Sequence, residues 1–385
     1  MRGIEARRNI VSGSPRGTLP VPATLRGLAA PSPLSNMLRP YALRHVPQAA
    51  MACVQPLDVD PKPGDLVLVR VETIGKNTKL EIANGRNVAL HEGDLIGAVF
   101  GARYATHQFE GYAKRNGDEC HLLSMGGLCG LVTSKHDKMP EPTRLRILGA
   151  LTDGDGRALS LRDYSLPPLP PLKVPPRVIV VCGSSMDSGK THTAMSTIVG
   201  FHRSGYRVAG IKLTGTGSGR DTWSMADAGA VPALDFTDGG HGSTFQCPVN
   251  EIIELYDLLL AHAAAQADHV VVEIADGLLQ AEISALLTNA DFVSGVAAFV
   301  FTTGDPLAAV AGIRLLADWG IRPVAISGLI SMSPLAMREA TAHTGVDCVT
   351  SQQLQAGEFL QRLPTMPTAR PRDSKKTAAV RRAVI

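Results

Sequence analysis

A lysine and a hydroxyl residue at the end of a run of small residues can hold phosphate. Cys182-Gly183-Ser184-Ser185-Met186-Asp187-Ser188-Gly189-Lys190-Thr191 is such a run. It follows the apolar stretch Val178-Ile179-Val180-Val181 and leads into a segment that reads as helix. A strand, a glycine-bounded loop and a helix are the setting a phosphate-binding loop requires. Gly183, Ser185, Ser188 and Gly189 are small enough to let backbone N–H groups curl around phosphate oxygens, and the helix N-terminus adds partial positive charge. Lys190 can reach the β- and γ-phosphates of a nucleotide, and the Thr191 hydroxyl can ligate Mg²⁺. Asp187 can accept from an amine or help place the metal; a turn role explains it equally well. Gly183 and Gly189 are separated by five residues, where the common pattern has four.

Two further residues fall at predicted strand ends. Lys212 closes Val208-Ala209-Gly210-Ile211 and opens the loop Leu213-Thr214-Gly215-Thr216-Gly217-Ser218-Gly219, in which Thr216 is a candidate ligand contact. Glu273 ends Val270-Val271-Val272, where a carboxylate can hold Mg²⁺ directly or through water. Ligands bind at the carboxyl edge of such sheets, so the three features form one nucleotide-Mg²⁺ site. Asp221, Asp227, Asp235 and Asp238 are secondary candidates. Asp235 leads them as a metal ligand because it ends the apolar run Val231 to Leu234; capping or turns account for the others.

Gly183 to Thr191 resembles the modified phosphate loop of dethiobiotin synthetase, Gly-Thr-Asp-Thr-x-Val-Gly-Lys-Thr, with the same five-residue gap. That family has a second lysine in a Lys-Pro-Val segment, where Lys212-Leu213-Thr214 stands here. Its Val-Glu-Gly-Ala-Gly-Gly segment corresponds to Val272-Glu273-Ile274-Ala275-Asp276-Gly277. The resemblance spans roughly residues 177–349 and places the chain among P-loop ATPases and ligases, as a member with an extra N-terminal β domain. It implies ATP and Mg²⁺ as cofactors, a second lysine that contacts the reacting group, and a magnesium-binding Glu273. It also implies a carboxylate or carbamate activated by phosphoryl transfer for attack by an amine. Leu213 in place of proline, the shortened glycine pair and the glycine-rich loop point to an acceptor of its own. The competing class is a nucleotide-hydrolysing switch or assembly ATPase/GTPase acting on a protein or metal-cofactor partner through the β domain. No Asn-Lys-x-Asp follows the late strand, which weakens a GTP reading.

The elements that must carry these residues alternate strand and helix from Arg177 onward, with helical segments at Val249 to Gln266 and Leu307 to Trp319. The expected fold is α/β, a doubly wound, mostly parallel P-loop NTPase sheet over residues 177–362. A small β-rich barrel or sandwich precedes it over 55–164, with a hairpin at Asn84-Gly85. Its loop Tyr104 to Gly111 reads as a substrate-contact loop or as an ordinary loop with one aromatic anchor. Six prolines between Ser165 and Pro176 make a stiff linker. Residues 1–54 carry seven arginines and one acid and show no periodic apolar pattern. They are expected to be a disordered leader, a transit peptide or an over-extended start, and residues 1–50 to be dispensable for the fold and for nucleotide binding. Residues 363–385 are expected to be a disordered basic tail.

Lys plus Arg number 38 against 35 Asp plus Glu, a net charge of +3, which gives no support to a nucleic-acid binder. The longest uncharged apolar stretch, Phe292 to Gly304, is 13 residues against the roughly 20 a spanning helix needs, so no membrane partner is expected. The six cysteines contain no CxxC pair, and His192, His241, His262 and His269 lack ligand spacing, so no zinc or iron site is expected. A cytoplasmic enzyme acting on a small-molecule acceptor, with homodimerisation compatible, is the expectation; organelle import stays open.

Overall fold

Apolar alternation between residues 55 and 165 becomes a small closed barrel in the computed structural model, which describes residues 33–172 and 174–363. The strands are β1 (Cys53–Gln55), β2 (Leu66–Thr73), β3 (Lys79–Glu81), β4 (Asn87–Ala89), β5 (Leu95–Phe100), β6 (Arg103–Tyr104), β7 (Phe109–Tyr112), β8 (Glu119–Leu122), β9 (Leu128–Lys135) and β10 (Thr143–Thr152). The order β10-β2-β5-β9 closes because β8 pairs with both β9 and β10. Most pairs are antiparallel; β5 and β9 run parallel. β3 and β4 form the Asn84-Gly85 hairpin, but only Gly85 is left-handed, at φ 84°. Its N–H donates to Ile82 O at 2.8 Å. The turn is thus built with one glycine of positive φ, where an Asn-Gly pair suggested two.

The second sheet is wholly parallel. Its strands are β11 (Arg177–Gly183), β12 (Val208–Lys212), β13 (Ala233–Asp235), β14 (His269–Glu273), β15 (Ala298–Thr302) and β16 (Ala325–Ser327), in the order β13-β12-β14-β11-β15-β16. The helices are α1 (Lys190–Arg203), α2 (Arg220–Asp227), α3 (Val249–Ala264), α4 (Ala281–Leu287), α5 (Ala290–Ser294), α6 (Pro306–Asp318), α7 (Pro334–Thr344) and α8 (Ser351–Gln355). They cover both faces. Val178, Val180 and Cys182 pack with α3 to α7, while Ile179 and Val181 pack with α1, α2 and α8. That is why these strands read as unbroken apolar runs. The α/β class with a β-rich N-terminal domain is therefore the observed fold. No helix among the described residues is long and apolar enough to cross a membrane.

The leader expected over residues 1–54 needs correction. From Pro33 the chain forms 3-10 turns at Pro33–Asn36, Tyr41–Leu43 and Gln48–Ala50. Met37, Leu43, Val46 and Met51 pack on Leu66, Leu68, Val99 and Leu128 of the barrel. A Cβ on Gly97 would lie 2.9 Å from Met37 Sδ, so that glycine makes room for the segment. Short 3-10 turns have neither the helical nor the strand period, which hides their apolar face from a sequence reading. Residues 1–32 of the leader and the tail from 364 lie outside the described residues, as does Lys173 in the linker.

Leu43 is fully buried. Leu43→Ala should destabilise the protein by about 2–5 kcal/mol and lower its Tm by roughly 5–15 °C. Thermal melts of the two proteins check this, and an unchanged Tm would restore the dispensable leader.

Candidate functional site

β11 ends at Gly183, and residues 184–189 loop back to start α1 at Lys190. Two glycines are required by contact. Gly189 is left-handed at φ 96°, and a Cβ there would meet Gly328 Cα at 2.8 Å. A Cβ on Gly277 would strike Ser184 O at 2.5 Å, because the turn after β14 packs beneath the loop. The Ser188 hydroxyl donates to Thr302 Oγ1 at 2.8 Å, and Thr302 donates to Cys182 O at 3.2 Å. These bonds tie the loop to β15.

Parallel register brings the charged residues together. Lys212 of β12 stands opposite Glu273 of β14, which is itself opposite Val181 of β11. Lys212 Nζ lies 2.5 Å from Glu273 Oε1 and 2.8 Å from Asp221 Oδ2. The Thr191 hydroxyl donates to Glu273 Oε1 at 2.8 Å and lies 3.3 Å from Asp221 Oδ1. Lys190 Nζ donates to Ser185 O at 2.6 Å. Glu273 is 1% exposed, and its Oε2 has no hydrogen-bond partner among the described residues. Burial raises the Glu273 carboxyl, Lys212 opposes that and Asp221 adds to it. Burial works against the Lys212 charge, but Asp221 and Glu273 outweigh it and hold the ammonium above its ordinary range.

The candidates separate on this geometry. Gly183, Ser188, Gly189, Lys190, Thr191, Lys212 and Glu273 share one region at the strands' carboxyl ends. Ser185 contributes its carbonyl there. Thr216 is half-buried on the loop after β12, in a backbone bridge to Ser243. Asp187 points outward, 73% exposed at the side chain and 3.3 Å from His107 Nδ1, so it does not join the buried charges. Asp235 is corrected as a metal ligand. Its carboxylate accepts from Tyr41, Thr222 and Thr237 and pairs with Arg44, which leaves it saturated away from Thr191. Asp221, the first residue but one of α2, stands where Asp235 was expected. Its helical position in a loop-rich stretch gave no strand-end signal.

Other residues near the loop carried little sequence signal. Asp276 is left-handed at φ 60°; burial raises its carboxyl, with Lys190 and Lys212 pulling it down. Arg103 of the barrel is half-buried and couples electrostatically to Asp276. The loop Tyr104 to Gly111 reaches the phosphate loop through His107. It borders a cavity of about 230 Å³ lined by Tyr104, Gln108, Glu110, Lys135 and His136 among others.

The barrel grips the glycine-rich loop after β12. Glu81 Oε2 accepts from Ser218 Oγ and Gly219 N, both at 2.9 Å, and Glu81 Oε1 accepts from Trp223 Nε1 at 3.1 Å. Ser124 donates to Gly217 O at 3.2 Å. A Cβ on Gly219 would meet the Tyr41 ring at 2.5 Å, so only glycine fits between Tyr41 and Trp223.

Strand order, phosphate loop and strand-end charges define a P-loop NTPase-like α/β domain joined to a barrel. Comparison with known proteins adds only distant likenesses. No protein-family model and no curated protein matches the chain. Among solved structures it is similar to a DUF1611 family protein from Anabaena variabilis, at 16% identity and a TM-score of 0.35, over 55% of this chain and 65% of that one. It is also similar to the signal recognition particle 54 kDa protein from Aeropyrum pernix, solved in complex with GDP, at 19% identity and a TM-score of 0.32. That match covers 50% of this chain and 47% of the other. The chain thus spans less than two thirds of either structure, and the fold reading rests on its own topology.

Burial first, and then the like charge of Lys212, lower the Lys190 ammonium to about 8. Between that value and the ordinary lysine value the unfolded chain binds more protons than the folded one. Stability of the nucleotide-free protein therefore rises with pH through this window, and the whole penalty is present below it. Lys190→Met should stabilise the nucleotide-free protein at pH 7 by up to about 3 kcal/mol. The advantage should shrink as pH rises from about 8 towards 10.5. Urea melts across that range check the sign; a less stable Lys190→Met at pH 7 would overturn it.

Proposed function

We propose that this protein binds ATP with Mg²⁺ and activates a small carboxylate or carbamate by phosphoryl transfer. The observation that carries the reading is the buried group of Lys190, Thr191, Lys212, Asp221 and Glu273 at adjoining strand ends. The resemblance to the dethiobiotin synthetase motifs supports the ligase-like form. Phosphoryl transfer depends on positioning and positive charge more than on covalent protein chemistry, and these residues supply both.

The donor set fits a magnesium ion. Mg²⁺ takes oxygen ligands, usually one or two carboxylates together with water and phosphate. Glu273 accepts from the Thr191 hydroxyl through Oε1, Thr191 in turn lies 3.3 Å from Asp221 Oδ1, and Glu273 Oε2 is buried with no hydrogen-bond partner among the described residues. Thr191, Glu273 and Asp221 are the residues that would hold the ion. When bound, it would neutralise phosphate charge and act as a Lewis acid. Lys190 would bind the β- and γ-phosphates once it leaves Ser185 O. Lys212 would turn its ammonium from the carboxylates towards the transferred phosphoryl group. In the loop at 215–219 the N–H groups of Gly215, Gly217 and Gly219 are already bound to Thr244, Gly242 and Glu81 and fix its shape, so those of Thr216 and Ser218 would be the ones to meet an anionic acceptor. The barrel's loop at 104–111, beside the phosphate loop, would limit water at the reacting centre.

Calorimetry with ATP and GTP in the presence of Mg²⁺, followed by turnover assays with small carboxylates and amines, tests the reading. Lys190→Ala should abolish nucleotide binding. Lys212→Ala should keep most affinity and slow turnover by about 10²–10³-fold. Asp221→Asn should raise the Mg²⁺ concentration needed for half-maximal turnover, and Asp235→Asn should not. GTP preference, or equal loss of affinity in both lysine variants, would overturn the scheme.

A further inference from the structure

Away from the phosphate loop, three residues of different chemistry converge. His241, Cys247 and Glu251 offer ligand atoms that all lie within 4.8 Å of one another. We propose that His241, Cys247 and Glu251 form a site for a divalent transition-metal ion, zinc by its ligand chemistry. A thiol, an imidazole and a carboxylate together are a zinc donor set rather than a magnesium or calcium one.

Four observations support the site. The imidazole is preset: His241 Nδ1 lies 3.0 Å from Gly239 O, to which it can only donate. Nε2 is then the lone-pair nitrogen, and it is buried without a hydrogen-bond partner among the described residues. A backbone carbonyl on one ring nitrogen is how ligating histidines are oriented, and here the other, Nε2, faces Glu251 Oε2 at 3.8 Å. Next, Cys247 lies just before the N-cap Pro248 and Glu251 in the first turn of α3, and the entry into the helix brings the two side chains together. Third, Arg162 Nη2 lies 2.7 Å from Glu251 Oε2 and orients that carboxylate from outside. Finally, Gln246 is held at φ 65°, and its N–H donates to Glu282 Oε1 at 2.5 Å. A non-glycine residue rarely adopts the left-handed conformation, and here it turns the chain between two of the ligands.

A tetrahedral zinc ion with bonds of about 2.0–2.3 Å needs its ligands roughly 3.3–3.8 Å apart. The three atoms would therefore draw in by about an ångström on binding. Water can complete the fourth position. Burial pushes the empty-site Cys247 thiol up to about 11, so binding expels its proton to solvent as the sulfur becomes a thiolate ligand.

The site lies under the proposed acceptor loop. Thr244 Oγ1 accepts from Gly215 N at 2.8 Å, and Gly242 O accepts from Gly217 N at 2.9 Å. A metal clamping residues 241–251 would fix the loop that carries Thr216.

The test uses the full chain, stripped with a chelator and then titrated with Zn²⁺ against a chromophoric competitor. One equivalent should bind tightly. Cys247→Ser and His241→Gln should each weaken binding at least about 100-fold, while Glu273→Gln, at the phosphate site, should not. Co²⁺ should give a thiolate-to-cobalt charge-transfer band in the parent protein and none in Cys247→Ser. The metal-free variants should melt as the metal-free parent does, which separates lost ligation from lost folding. Equal Zn²⁺ affinity in parent and Cys247→Ser, or no charge-transfer band in the parent, would overturn the proposal.

Discussion

A buried carboxylate and the ammonium beside it organise this molecule. Glu273 is almost wholly enclosed, and the Lys212 ammonium 2.5 Å away opposes the rise that burial imposes on its carboxyl. Isolated, either group would cost several kcal/mol to bury, and removing one partner would strand the other at about 3–5 kcal/mol. The pair requires β12 and β14 to be neighbours in one register, and it requires Thr191 and Asp221 to approach from α1 and α2. Arranging the phosphate loop and arranging this charge cluster are therefore the same structural problem. The depressed Lys190 shows its cost: in the nucleotide-free protein a second ammonium is held in a desolvated place.

The barrel is built into the P-loop domain's site. Tyr41 and Arg44 reach Asp235 and Asp238, closing a polar group that the isolated sheet edge would leave unpaired. Glu81 fixes the glycine-rich loop, which lacks side chains of its own to hold a shape. Gly126 and Gly217 meet backbone to backbone, since a Cβ on Gly126 would lie 2.1 Å from Gly217 O. Contacts that close leave little room for the two parts to drift, so the loop after β12 and the loop at 104–111 keep a defined separation above the phosphate loop.

Much of the sheet was legible in the sequence because its physical signature is local. A strand covered on both faces needs an unbroken apolar run, and Val178 to Val181, Val208 to Ile211 and Val270 to Val272 supply one each. The phosphate loop was legible because its small residues and lysine are contiguous. Lys212 and Glu273 were legible because each terminates such a run, which puts it at the carboxyl edge.

Distance along the chain hid the rest. Asp221 and Asp235 lie fourteen residues apart in a stretch without periodicity, and only the tertiary fold decides which meets Thr191 and which meets Tyr41. Residues 33–51 read as a leader because 3-10 turns bury side chains without a repeating period. His241, Cys247 and Glu251 match no ligand spacing, yet a tight turn and the start of α3 bring them together. Composition and local pattern set the α/β sheet, the phosphate loop and the two strand-end charges. Which carboxylate completes that site, and what the barrel and its leading segment contribute, was decided by long-range packing, which local pattern does not encode.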